Sequence, residues 1–158
     1  MLFGDYVDAP TTPLFPFGHG LSYTTFAYGD LAVRATTTAE PVEVSITVRN
    51  AGERAGDEVV QLYCRDVVAS VARPSQMLAG FARVSLAPGQ ARRLRFTVHP
   101  SRLAFYDPHM RFVTEPGAFT FGVGASSSDI RAEQTVELAG EVTAYRQREI
   151  VATRVVEL

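Results

Sequence analysis

The sequence predicts an all-β domain, an antiparallel sandwich that follows an irregular N-terminal arm. Three observations carry the prediction. Seven or so short stretches alternate apolar and polar residues, at intervals of roughly 8–14 residues. Turn-forming proline, glycine and asparagine separate them. No stretch shows the sustained 3.6-residue period of an amphipathic helix. A closed barrel is the alternative way to pair the same strands.

The arm comprises residues 1–29. It holds seven of the chain's sixteen aromatics (Phe3, Tyr6, Phe15, Phe17, Tyr23, Phe26 and Tyr28) with no regular period. Pro10, Pro13 and Pro16 fix the backbone near polyproline II and remove amide donors. Gly18 and Gly20 then permit a sharp change of direction. Such a segment cannot build its own core and needs a groove on this domain or on a neighbour. Its proline spacing also fits a ligand for a polyproline-binding domain. The bulky Leu14, Phe15 and Phe17 beside it favour a packed, semi-rigid linker.

The sandwich is placed at residues 30–140. Leu31, Val33 and Ala35 alternate with polar or small residues. Val42, Val44, Ile46 and Val48 face one way, and Glu43, Ser45, Thr47 and Arg49 the other, which makes this the clearest strand in the chain. A turn follows at Asn50-Ala51-Gly52, where asparagine and glycine tolerate a positive φ. Residues 57–66 read as a more fully buried strand. Residues 76–86 and 91–98 flank Pro88-Gly89, the order that a type II turn prefers. Residues 110–114 and 118–124 flank a second turn at Glu115-Pro116-Gly117, and a last clear strand covers 133–138. Residues 141–158, with Ile150, Val151, Val155 and Val156, form a C-terminal extension that is a candidate for one added strand.

The chain's 158 residues suit one domain, or one domain with a long arm, and suffice for a core without a disulfide or a metal. The net charge is −2, and the 15 basic residues, all arginine, are scattered, which leaves no footprint for nucleic acid or an acidic membrane. No run approaches the ~18 apolar residues of a bilayer-spanning helix. Residues 1–20 lack the positive and apolar regions of a secretory signal peptide. These features describe a soluble domain and leave its localisation open.

Little catalytic chemistry is visible. General acid–base work needs two carboxyl groups roughly 5–10 Å apart with divergent pKa values. Asp57, Glu58, Asp66, Asp107 and Glu115 are the candidates, but most adjoin turns, where carboxylates are solvated or bonded to backbone amides. His19, His99 and His109 lack His-x-x-x-His spacing and read as turn residues. Cys64, the single cysteine, excludes an intrachain disulfide and reads as a buried, inert thiol. Gly122-Val123-Gly124 lacks the third glycine and the helix of a dinucleotide fingerprint; it reads as a strand whose glycines admit close packing. Serines 126–128 lack the elbow of a hydrolase nucleophile. There is no tryptophan to form a sugar platform. Phe96, Phe119 and Phe121 read as core, leaving Tyr63, Tyr106 and Tyr145 as surface candidates for weak sugar binding. No catalytic residue, cofactor or metal is assigned.

The most specific string is Pro13-Leu14-Phe15-Pro16-Phe17-Gly18-His19-Gly20-Leu21-Ser22-Tyr23-Thr24-Thr25-Phe26. Further blocks follow it in order: Ala55-Gly56-Asp57-Glu58-Val59-Val60-Gln61-Leu62-Tyr63, Arg73-Pro74, Leu78-Ala79-Gly80-Phe81-Ala82-Arg83-Val84 and Leu86-Ala87-Pro88-Gly89. Phe105-Tyr106-Asp107, Glu115-Pro116-Gly117, Val123-Gly124 and Ser127-Ser128-Asp129-Ile130-Arg131 complete the series. Over roughly residues 4–140 the chain resembles the C-terminal domain of glycoside hydrolase family 3 enzymes, the β-glucosidases, β-xylosidases and their relatives. The resemblance implies a fibronectin type III-like sandwich, in agreement with the strand count. It also implies a fragment. Complete enzymes of the family carry a nucleophilic aspartate on an N-terminal barrel and an acid/base glutamate on a following α/β domain, and they hydrolyse with retention. Neither carboxylate can be assigned here. Gly4-Asp5-Tyr6-Val7-Asp8 resembles the last segment of that α/β domain, and the chain beyond residue 140 matches only loosely.

The resemblance and the arm together lead to one expectation. This is a noncatalytic accessory domain that docks onto the catalytic domains of a parent glycosidase through Leu14, Phe15, Phe17, Leu21, Tyr23 and Phe26. Separated from that partner, the arm folds back, disorders, or docks on a second copy to give a homo-oligomer. The alternative is a carbohydrate-binding module that holds polysaccharide near the active site. A surface row of co-planar tyrosines would favour the module; buried tyrosines with bonded hydroxyls would favour the structural role.

Overall fold

The computed structural model describes residues 12–146 and 154–157. The strands run β1 (Phe26–Arg34), β2 (Val42–Asn50), β3 (Gly56–Asp66), β4 (Met77–Leu86), β5 (Ala91–Val98) and β6 (Phe105–Tyr106). They continue with β7 (Phe112–Thr114), β8 (Gly117–Ser126), β9 (Asp129–Leu138), β10 (Thr143–Tyr145) and β11 (Arg154–Glu157). Two four-stranded antiparallel sheets, ordered β1-β2-β5-β11 and β4-β3-β8-β9, enclose one core, and a small sheet β10-β7-β6 lies beside them. This is the predicted all-β antiparallel sandwich.

Alternation builds the core. Val42, Val44, Ile46 and Val48 of β2 have no solvent exposure, while Glu43, Ser45, Thr47 and Arg49 between them point away from the core. Val60, Leu62 and Cys64 of β3, Leu94, Phe96 and Val98 of β5, and Phe119, Phe121 and Val123 of β8 fill the same cluster. Each large apolar side chain withdrawn from water contributes about 1.5–3 kcal/mol.

The two Pro-Gly turns bend where expected, and each joins strands of different sheets. Gly89 has φ +73°, and the Gln90 amide donates to the Ala87 carbonyl at 3.0 Å, closing the Pro88-Gly89 turn. Yet β4 and β5 belong to opposite sheets, so this turn crosses the sandwich and makes no hairpin. The turn before Gly117 (φ +145°) likewise passes from the small sheet into β8. At Asn50-Ala51-Gly52 neither asparagine nor glycine adopts a positive φ. Asn50 is instead buried and shapes the turn with its side chain.

The last clear strand extends further back than its alternation suggests. β9 begins at Asp129, because Ser127 and Ser128 form the tight tip of a hairpin with β8. Gly124 sits at a register shift in that hairpin, where an added Cβ would lie 2.0 Å from the Asp129 carbonyl oxygen. The glycine pair does admit close packing. β1 starts at Phe26, so residues 26–29, which the sequence assigns to the arm, are strand paired with residues 47–50. In the extension, β11 adds to the β5 edge, with Val155 opposite Phe96. Ile150 and Val151 lie outside the described residues, as do Phe3 and Tyr6 of the arm.

Candidate functional site

The arm crosses the outer face of the β4-β3-β8-β9 sheet and is tied to it by polar contacts. The His19 amide donates to the Pro16 carbonyl at 3.0 Å, making a turn whose Gly18 has φ +79°. A Cβ on Gly18 would fall 2.0 Å from Gln61 Oε1, so glycine is required both for conformation and for contact. Gln61 points from β3 toward the arm and is only 4% exposed. Its Nε2 donates to the Gly18 carbonyl at 3.1 Å and to the Ala125 carbonyl at 2.6 Å, and its Oε1 accepts from the Tyr63 hydroxyl at 2.6 Å. The Ser127 amide donates to the Phe17 carbonyl at 2.9 Å, and Gln76 Nε2 donates to the Ser127 carbonyl at 2.6 Å. Two glutamine amides thus join β3, the end of the β3–β4 connection, the β8–β9 hairpin tip and the arm. At the arm's far end, Thr24 Oγ1 donates to Asn50 Oδ1 at 2.7 Å, and the Ala51 amide donates to the Thr25 carbonyl at 2.8 Å.

With the backbone held, the apolar side chains point outward. Leu14 is 88% exposed, Phe15 67%, Phe17 66%, Leu21 93% and Tyr23 94%. Phe26, the sixth residue expected to dock, packs instead against the sandwich core. Beneath the arm, Val59 and Phe81 are exposed on the sheet. With Phe17, Leu21 and Leu78 they line a groove of about 600 Å³ that also reaches Asp57, Glu58, Tyr28, Asp129 and Arg131.

The charged end of that groove is unevenly paired. Asp57 is bonded to Ser85 and Arg83, which hold its carboxyl below the ordinary range. Arg131 grips Asp129 with two bonds. Glu58 is half-buried, and loss of water raises its pKa despite Tyr28 and Arg131 nearby. The Tyr28 hydroxyl is buried against Glu58 without closing a hydrogen bond of standard geometry, and burial raises its pKa as well.

The remaining acid–base candidates are scattered and occupied. Asp66 pairs with Arg73 at 2.8 Å, both side chains nearly inaccessible, and burial raises the Asp66 pKa despite the guanidinium. Arg73 also lies 4.6 Å over the Phe105 ring. Glu115 accepts from the Ser70 amide and hydroxyl, at 3.1 and 2.6 Å. Burial pushes the Asp107 carboxyl up, but the Arg111 amide and guanidinium and the His109 amide outweigh it and hold the pKa low. His99 Nδ1 accepts from the Ser101 amide at 3.2 Å, capping a 3-10 turn at Pro100–Arg102. His19 rests against Phe15. Cys64 is 1% exposed, and burial pushes its thiol up to about 12. Of the three candidate sugar-stacking tyrosines, Tyr63 is 3% exposed with its hydroxyl bonded to Gln61, and Tyr145 donates to the Thr38 carbonyl at 3.0 Å. Tyr106 is exposed but tilts 46° against Phe112. They form no row.

Sequence reasoning passed over Gln61 and Gln76. The available signal was Gln61 itself, a polar residue inside the apolar run Val59-Val60-Gln61-Leu62-Tyr63.

Comparison with known proteins places this geometry. The family described as the fibronectin type III-like domain matches residues 58–127. A β-glucosidase of Bacteroides ovatus is 45% identical over 128 residues, covering 79% of this chain and 17% of the relative. A β-xylosidase of Formosa agariphila is 47% identical over 131 residues, covering 78% and 17%. Among solved structures, the Listeria innocua β-glucosidase in complex with glucose superposes with a TM-score of 0.81 at 34% identity, over 88% of this chain and 19% of that one. The class so defined is the fibronectin type III-like sandwich. More particularly, the chain is a fibronectin type III-like domain of the kind that family 3 β-glucosidases and β-xylosidases carry. It spans less than a fifth of the length of these relatives, in which the matched domain is one part of a larger enzyme. No helix among the described residues is long and apolar enough to cross a membrane.

Proposed function

We propose that this chain is a noncatalytic accessory domain of a family 3 β-glycosidase, β-glucosidase-like, that docks onto the enzyme's catalytic domains and stabilises them. One observation carries the reading: five large apolar side chains of the arm face solvent from a backbone that is hydrogen-bonded in place. An arm that served only its own sandwich would turn those side chains inward. An interdomain interface of ordinary size, about 600–1,500 Å², covers such a row, and each phenylalanine it buries contributes about 1.5–3 kcal/mol. Similarity to much longer glycosidases supplies the partner. The parent enzyme hydrolyses O-glycosidic bonds with retention, using carboxylates outside this chain.

Residues 1–29 then serve as the end of the preceding domain and its linker, with the strand itself starting at Phe26. Residues 30–140 are the sandwich, and 141–158 an extension that adds β11. On its own, the chain's uncovered arm favours a homo-oligomer. The bonded hydroxyls of Tyr63 and Tyr145 support the structural role over a carbohydrate-binding module. Isothermal titration with cello- and xylo-oligosaccharides, beside an aryl β-glycoside assay on the same sample, tests the reading. Neither heat nor turnover is expected. Saturable heat without turnover would make the domain a binding module, and turnover lost on changing one carboxylate would overturn the noncatalytic assignment.

A further inference from the structure

We propose that the groove between the arm and the outer face of β3 and β4 is a preformed socket for an apolar side chain with a basic group beside it, presented by the catalytic part of the parent enzyme. The inference rests on the docking reading above and specifies the chemistry of the docking partner.

The middle of the groove is apolar on both sides, with Val59, Leu78 and Phe81 from the sheet and Phe17 and Leu21 from the arm. Val59 and Phe81 are 41% and 63% exposed, so this surface is uncovered within the chain. An inserted apolar group therefore gains burial on two sides. At the charged end, Asp57 is engaged by Arg83 and Ser85, and Asp129 by Arg131. Glu58 differs: among the described residues no cation lies within 4.0 Å of its carboxylate. The buried Tyr28 hydroxyl lies against that carboxylate and, being neutral, supplies it no countercharge. With Asp57 matched by Arg83 and Asp129 by Arg131, Glu58 is the surplus carboxylate of the groove. A guanidinium or ammonium group entering there pairs with Glu58 without displacing an existing pair, and charge-assisted bonds of this kind are the stronger ones. An acidic segment is repelled.

The glutamine knot makes the socket preformed. Gln61 and Gln76 fix the arm turn and the hairpin tip against each other, so the partner need not order the walls as it enters. Association then loses less conformational entropy. Burial has already raised the Glu58 pKa, and a cation beside it would bring that pKa back down, which supplies a readout separate from affinity.

The test titrates the isotope-labelled chain with N-acetyl-Phe-Arg amide, N-acetyl-Phe-Glu amide and cellobiose, followed by NMR. The arginine peptide should saturably shift the Gln61 side-chain amide and the backbone amides of Val59 and Phe81. It should bind about fivefold more tightly than the glutamate peptide, the effect of one partly exposed ion pair, and lose that advantage at high salt. Glu58→Gln should abolish the preference between the peptides, and Phe81→Ser, at an exposed position, should weaken both. Equal affinity for the two peptides, shifts confined to other surfaces, or no saturable shift with either peptide would overturn the proposal. If cellobiose is silent in that case, the docking reading stands and only this inference fails. If cellobiose moves the same amides, the groove is a sugar site and both fail.

Discussion

Asn50 has no solvent exposure, and its amide joins three parts of the chain. Nδ2 donates to the Arg54 carbonyl at 2.7 Å and the Leu86 carbonyl at 3.0 Å, while Oδ1 accepts from Thr24 Oγ1 and the Gly52 amide. An alanine there strands several buried polar groups, each costing about 1–3 kcal/mol when unsatisfied. Partial rescue by water lowers the sum, and Asn50→Ala should cost about 3 kcal/mol in urea unfolding; a cost within ~0.5 kcal/mol, that of an ordinary surface substitution, would show that the bonds are not needed. Position alone marked Asn50 as a turn residue. Its role could not be read locally, because Thr24 and Leu86 reach it only in the folded chain. Glu58 carries the second prediction at this scale. Burial raises its folded-state pKa above the ordinary 4.5, so the folded chain holds this proton more tightly than the unfolded one. Stability therefore falls as pH rises through the window from 4.5 to the raised value. Glu58→Gln mimics the protonated form. Its melting temperature should match the unaltered chain below that window and exceed it at neutral pH; the reverse order would mean that the ionised carboxylate is the stabilising form.

The strands were legible as elements because alternation records burial directly, as in β2, where every second residue is fully buried. Their connections were not. A Pro-Gly turn states that the chain reverses; whether it reverses within a sheet or across the sandwich depends on which neighbour each strand pairs with. β3 took β8, more than fifty residues away, as its second partner. The segment between β3 and β4, residues 67–76, shows an element held by buried charge. Arg73 returns to Asp66 at the end of β3, stacks on Phe105 and reaches Met77 Sδ, while Glu115 accepts from both the amide and the hydroxyl of Ser70. Removing one member of a buried pair leaves the other charged and dry, which costs about 3–5 kcal/mol. Arg73→Met should destabilise by that order at neutral pH. Because the orphaned Asp66 escapes its penalty by taking up a proton, the deficit should shrink as pH falls toward 4. A deficit that stays constant across that range would assign the loss to packing on Phe105 instead of charge.

At the scale of the whole molecule, sandwich and arm have opposite surface logic. The sandwich buries its apolar face on itself; the arm spends hydrogen bonds on its backbone and leaves Leu14, Phe15, Phe17, Leu21 and Tyr23 in water. The aromatic, aperiodic composition of residues 1–29 announced that division, but the groove depends on Gln61 and on a bulged hairpin, neither of which has a local pattern. Two consequences separate under truncation. Deleting residues 1–21 removes four of the five exposed arm side chains and the bonds to Gln61 and Ser127, while Thr24, Thr25 and β1 remain to close the sandwich. The core should survive, with a stability loss of only a few bonds, about 1–3 kcal/mol. Self-association should fall much more steeply, because it depends on the deleted apolar surface. Sedimentation equilibrium on both chains at rising concentration, beside urea unfolding, distinguishes the cases. A dimer that weakens at least ~10-fold on truncation, equivalent to about 1.4 kcal/mol, locates the sticky surface in the arm. An unchanged dimer would place it elsewhere, on Val67 and Val68 or on the β11 edge. Global unfolding on truncation would mean that the arm is part of the core's stability and not a surface held ready for a partner.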